Sequence, residues 1–306
     1  MTGLLARAVG VSRRFGDTLA LDRADLDIPQ GGIVGLLGPN GAGKSTMISL
    51  LTGLRRPSAG RVELFGGDPR NPASRRRLGT TPQRTGLPEN LRVGEVVDFV
   101  GAHYADPVPT GELLDRFGLT ALRRRQTGAL SGGQQRLLTV ALAVVGRPAL
   151  VVLDEPTTGL DVDARLQLWD ALRDYHATGG TLLLTSHYLE EVEALAERVV
   201  VIAGGRVLVD DTLDAVRSRV PTRRLLLRAA HLPALDGVLD QAVLPDGRTE
   251  LLTNDSDALV RELVLSEAEF TDLEVSGASL EEAFRSLTGR RDDESLVPTS
   301  TTTGAA

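Results

Sequence analysis

The stretch GPNGAGKST, residues 38–46, decides how this chain is read. It fits the pattern G-x-x-x-x-G-K-S/T. It follows an apolar run, GIVGLLG (32–38), that reads as a strand, and it opens the helical pattern STMISLLTGL (45–54). Gly38, Gly41 and Gly43 let backbone N–H groups curl around phosphate oxygens. Asn40, Ala42 and Thr46 complete the phosphate-binding set, and the helix N-terminus adds partial positive charge. Lys44 is expected to reach the β- and γ-phosphates of a nucleotide, and Ser45 to place its hydroxyl on Mg2+. Lys44 is the single lysine of 306 residues, in a chain with 34 basic residues. A loop closed around two phosphates accepts a compact ammonium more readily than a broad planar guanidinium.

Working outward, ALVVLD (149–154) and TLLLTS (181–186) are continuous apolar runs. Such runs suit parallel strands covered by helices on both faces. Between them lies the helical pattern ARLQLWDALRDYHATGG (164–180), and RVVVIAGGRVLVDD (198–211) reads as a hairpin around Gly204-Gly205. The expected core is therefore α/β. Asp154 and Glu155 stand at the C-terminal end of a buried strand, where open α/β sheets bind ligands. Asp154 is expected to hold Mg2+, and Glu155 to polarise an attacking water, which makes the reaction hydrolysis. A phosphate cradle by itself would equally suit a small-molecule kinase, a GTPase or a helicase.

The segment LSGGQQR (130–136) narrows the choice. Ser131 reads as the cap of a second anion-binding helix N-terminus, with Gly132 and Gly133 clearing space beside Gln134. Here the chain resembles the ATP-binding cassette family, whose signature is LSGGQ. The resemblance spans roughly residues 4–215 and implies a phosphate-loop NTPase core with a helical subdomain. It implies that Phe15, where the family more often has Tyr, stacks on adenine. It implies that Gln83 in TTPQ touches both Mg2+ and a membrane partner. Asp154 and Glu155 match the metal and catalytic acids. Asp161, closing TTGLD (157–161), matches the end of a loop that crosses to the opposite subunit. His187 in LTSHYLEE matches the switch histidine at the γ-phosphate. Two copies placed head to tail would let Ser131 and Gly133 of one close over ATP held by Lys44 of the other.

Composition excludes several alternatives. The chain has no cysteine, so disulfides, thiolate metal sites and cysteine nucleophiles are ruled out. A net charge of -7 argues against binding nucleic acid through bulk phosphate attraction. No apolar run reaches the length of a membrane span, and the start has no secretory-signal order. His103, His176 and His231 show no ligand-like spacing, Trp169 falls in a helical apolar pattern, and the arginine runs at 75–77 and 123–125 read as solvated.

Three parts are expected: a nucleotide-binding domain over 1–218 with a helical subdomain at about 85–147, a small α+β domain over 219–289, and a disordered tail over 290–306. The ending SGASLEEAFRSLTG (276–289) resembles the close of the C-terminal domain in daunorubicin-resistance-type exporter ATPases. That group implies a dimer bound to a separate permease at the cytoplasmic face of the membrane, exporting drugs or other hydrophobic molecules. One departure is Leu142, where the wider family usually carries arginine. An import motor shares every nucleotide motif. A soluble ATPase acting on nucleic acid or ribosomes is disfavoured by the acidic charge and the lack of a second cassette.

Overall fold

A computed structural model describes residues 3–81, 86–186, 188–266 and 268–288. Chain contacts divide it into two units, Met1–Val216 and Arg217–Ala306.

The first unit is built on two sheets. One is antiparallel, ordered β2-β1-β4, from β1 (Leu4–Phe15), β2 (Thr18–Pro29) and β4 (Ala59–Leu64). The other has six strands in the order β5-β6-β7-β3-β8-β9. Its members are β3 (Gly32–Leu37), β5 (Leu78–Thr80), β6 (Leu150–Asp154), β7 (Thr181–Thr185), β8 (Arg198–Ala203) and β9 (Arg206–Thr212). The pairings are parallel except that of β8 with β9, the hairpin around Gly204-Gly205.

The helix α1 (Lys44–Leu51) ties the sheets together. Its Met47, Leu50 and Leu51 share one core with Val11, Leu21 and Ile28 of the antiparallel sheet and Leu36, Val152, Leu183 and Val200 of the parallel one. Each such buried side chain contributes about 1.5–3 kcal/mol. The phosphate loop is therefore anchored by a helix that neither sheet can release alone.

Between β5 and β6, the described residues form helices and turns without a named strand. They include α3 (Val93–Gly101), α4 (Thr110–Arg116) and α5 (Gly132–Val144). A short helix α2 (Pro72–Arg75) precedes them, and α6 (Val162–Ala177) and α7 (Leu189–Leu195) flank β7. The helix α8 (Leu213–Arg217) closes the series.

The second unit is an antiparallel sheet ordered β11-β12-β10-β13, from β10 (Arg223–Ala229), β11 (Val238–Val243), β12 (Thr249–Thr253) and β13 (Phe270–Ser276). Leu259 and Leu263 of α9 (Ser256–Leu265) pack on Leu225, Leu227 and Leu251 of that sheet. A last helix, α10 (Leu280–Thr288), buries Leu280 and Ala283. No helix among the described residues is long and apolar enough to cross a membrane.

Candidate nucleotide site

Close packing shapes the loop between β3 and α1. A Cβ at Gly38 would meet the Ile202 carbonyl oxygen at 2.2 Å. Gly43 has φ +111°, and a Cβ there would lie 2.6 Å from the Ala20 carbonyl oxygen. Neither position accepts a larger residue without backbone movement. The Ala42 N–H donates to Pro39 O at 3.1 Å, which closes the curl. Ala42 and Gly43 are buried, whereas Asn40, Gly41 and Ser45 are exposed.

Lys44 is 8% exposed. Its ammonium donates to Gly38 O at 2.6 Å and to Pro39 O at 3.1 Å. Burial lowers its pKa, and the nearby Glu155 and Asp154 carboxylates oppose that shift. The cation is thus held over the loop by carbonyl oxygens and two acidic groups, in partial desolvation where an added anion would bind strongly.

The acids come from the end of β6. Thr185, closing neighbouring β7, donates its hydroxyl to Asp154 Oδ1 at 2.5 Å. The Glu155 N–H donates to Thr185 O and Oγ1, each at 3.1 Å. Glu155 has φ +50°, a left-handed conformation that costs a non-glycine residue about 1–3 kcal/mol and persists only where surroundings impose it. The Thr158 hydroxyl approaches Glu155 Oε2 at 3.4 Å.

Two adjoining clefts share these groups. One, of about 690 Å3, runs from Phe15 past Ser45, Thr46 and Thr80 to Asp154. Phe15 is 37% exposed, with the Arg13 and Arg55 guanidinium carbons 4.7 and 5.0 Å from its ring centre. The second cleft, of about 320 Å3, is lined by Ser45, Asp154, Glu155, Gly132, Arg136 and Thr158, with Gly159. Gly132 thus reaches the rim of the cleft within a single chain.

The second helix terminus is locally complete. Ser131 Oγ accepts the Gln134 N–H at 3.2 Å, and Gln134 Oε1 accepts the Ser131 N–H at 3.1 Å. This reciprocal capping box engages the Gln134 side chain. The two glycines differ: a Cβ at Gly133 would meet Leu160 at 3.3 Å, whereas one at Gly132 would meet nothing within 4 Å among the described residues. Asp161 caps α6, its Oδ1 accepting the Ala164 N–H at 2.8 Å. Gln83 and His187 lie outside the described residues.

The donor set suits Mg2+. Among the described residues no group of three or more His, Cys, Asp or Glu could hold a metal. The cleft offers the hydroxyls of Ser45 and Thr158 and the carboxylates of Asp154 and Glu155, of which Ser45 and Asp154 also line the adjoining cleft. Mg2+ is commonly bound with so few protein oxygens, completing its shell with waters and substrate phosphates.

Sequence reasoning missed Arg136, Thr185 and the arginine pair around Phe15. Arg136 sits inside LSGGQQR itself, and a buried helical arginine was its only signal. Trp169, in the helical apolar pattern of α6, is only partly buried, and its indole lies beside Glu191.

A parallel sheet ending in a glycine loop, a buried lysine and paired acids defines a phosphate-loop nucleoside triphosphatase. The ABC transporter family model matches residues 21–158. The chain is 37% identical to the daunorubicin resistance ATP-binding protein DrrA3 of Streptomyces coeruleorubidus, over 92% of this chain and 94% of the other. It is 36% identical to the Nod factor export ATP-binding protein I of Cupriavidus pinatubonensis, over 92% and 89%. A solved ATP-binding subunit of an ABC transporter superposes with a TM-score of 0.63 at 28% identity, covering 70% of this chain and 92% of that one. The chain belongs to the ATP-binding cassette transporter family, and its enzymatic activity is the hydrolysis of ATP.

Proposed function

We propose that this chain is the ATP-driven motor of an exporter for drugs or other hydrophobic small molecules. Two copies would close around two ATP molecules on the cytoplasmic face of a separate membrane permease. The observation that carries the reading is the cleft where Ser45, Asp154 and Glu155 meet, with the buried Lys44 ammonium close enough to feel both acids.

In this reading Phe15 stacks on the adenine, with Arg13 and Arg55 beside it. The loop amides and Lys44 bind the phosphates. Ser45 and Asp154, with Gln83, would hold Mg2+, which when bound neutralises phosphate charge during transfer. Glu155 orients the attacking water and accepts its proton, while His187 contacts the γ-phosphate. Asp161 and the helix tip at Ser131–Gln134 complete the site of the opposite copy. Gly132 suits that role, since among the described residues nothing lies within 4 Å of a Cβ built there.

In this reading a separate permease would sit on an apolar cleft of about 600 Å3 that includes Leu87, Leu91, Phe99, Tyr104 and Leu142. Phe99 is 64% exposed there. The cleft also takes in Leu78–Thr80, just ahead of Gln83. The names of the relatives, resistance and export proteins, favour export over import. The net charge of -7 disfavours a role on nucleic acid.

Glu155→Gln tests the reading. The variant should bind ATP, lose turnover and roughly double in mass with ATP and Mg2+, because bound nucleotide stabilises the closed pair. A purely monomeric Glu155→Gln under those conditions would falsify the ATP-sandwich dimer.

A further inference from the structure

This inference rests on Glu155 being the group that activates water. The left-handed Glu155 turns three successive carbonyls, 154–156, toward α5, and one side chain meets all of them. Arg136 lies on α5, five residues past Ser131, and is 9% exposed. Its Nη2 donates to Asp154 O at 2.5 Å and to Glu155 O at 2.7 Å, and its Nε donates to Pro156 O at 3.0 Å. A planar fork with five N–H groups can bridge three carbonyls at once, and buried carbonyls require donors.

The far end of the same turn is held from another helix. Thr157 is 1% exposed, and its hydroxyl donates to Glu191 Oε2 at 3.0 Å. Glu191, on α7, has no exposed surface and is faced by Ser186, Trp169 and Arg165 as well as Thr157. Residues 154–157 are therefore gripped by α5, β7 and α7 together. None of these contacts involves the 38–46 loop.

We propose that Arg136 and Glu191 are positioning residues for hydrolysis: they clamp the 154–157 turn so that the Glu155 carboxylate faces the cleft beside Ser45. The clamp acts on the aim of the acid and leaves ATP binding to the loop. It also puts Arg136 on the helix whose tip reaches the cleft rim, so a shift of α5 moves the acid's backbone with it.

The full-length chain carrying Arg136→Lys tests this, with Thr157→Val as a second, isosteric variant. Three quantities are read: kcat for Mg-ATP, the dissociation constant for ATP, and amide exchange in the nucleotide-free protein. An ammonium cannot span three carbonyls as the planar fork does, and valine has no hydroxyl to donate to Glu191, so each variant should lower kcat about tenfold or more while the dissociation constant moves by less than about threefold. Exchange at 154–158 should quicken about tenfold, with no change across 44–51. In a Glu155→Gln background, Arg136→Lys should cost less than about twofold further, since what it positions has gone. Unchanged exchange at 154–158, an ATP affinity that falls in step with kcat, or a fully additive loss in that background would overturn the proposal. If Arg136→Lys does not fold, Thr157→Val decides it through the same readouts. If Glu155→Gln alone keeps full turnover, the role given to Glu155 fails, while the exchange result still judges the clamp.

Discussion

The Thr185 hydroxyl donates to Asp154 Oδ1 at 2.5 Å, and Thr185 also receives the Glu155 N–H. One strand end thus orients the proposed metal ligand by its side chain and the proposed base by its backbone. Thr185 has no exposed surface, so this link is shielded from water.

Thr185→Val keeps the shape of the strand and removes the hydroxyl. The half-buried Asp154 carboxylate loses this donor, and stability should fall by about 1.5–3 kcal/mol, the usual worth of a hydrogen bond to a charged group. The Mg2+ concentration for half-maximal ATPase activity should rise about tenfold, since supporting hydrogen bonds tune a metal ligand. Magnesium titration of turnover, with thermal unfolding alongside, measures both.

Lys44→Met should abolish ATP binding without lowering thermal stability. The ammonium's pKa is depressed in the fold by burial, so the charged form is disfavoured relative to the unfolded chain. That penalty is fully present at neutral pH and fades only as pH rises toward the unfolded lysine value. Lys44→Arg should lose about a hundredfold or more in kcat/KM, about 2.7 kcal/mol of transition-state binding. Calorimetric melting and nucleotide titration separate the two effects.

Glu191 supplies a pH dependence. Burial raises its pKa, against the hydrogen bonds of Ser186, Thr157 and Trp169 and the charge of Arg165. The folded state therefore holds the proton more tightly than the unfolded one. Its contribution is fully present below the unfolded carboxyl value and is lost as pH rises through the folded pKa. Glu191→Gln keeps an acceptor for Thr157 and has no charge to bury. The stability difference between variant and wild type should shift in the variant's favour from pH 5.5 to pH 8, as read by denaturant midpoints.

Phe15→Ala should weaken ATP binding by about tenfold, within the range of one stacked base on an aromatic ring, and leave kcat nearly unchanged. Phe15→Tyr should be close to neutral. Equilibrium binding of a fluorescent ATP analogue distinguishes them. A fall in kcat with intact affinity would count against a stacking role.

Much of the site was legible because its chemistry is local. The glycine spacing of 38–46 and the Ser131 cap each rest on residues two to five positions apart. The buried strands were readable as continuous apolar runs. The antiparallel sheet of β1, β2 and β4 was missed. Its pairing is broken by register shifts, one between Ala8 and Val11 around Gly10 at φ +55°, and these disrupt the two-residue alternation that marks a strand.

By itself, then, the order of residues determined which short elements form and which of them carry a phosphate-binding loop, an acid pair and a capped helix. Their meeting was decided only in three dimensions. Ser45 and Asp154 are distant in sequence, and they share a cleft because β7 inserts between β3 and β6 and α1 packs between the two sheets. The three-way grip on Glu155 by Arg136, Thr185 and the Thr157–Glu191 bond likewise has no local pattern. Hydrogen bonds between distant segments depend on strand order and helix packing, and no periodicity along the chain encodes those.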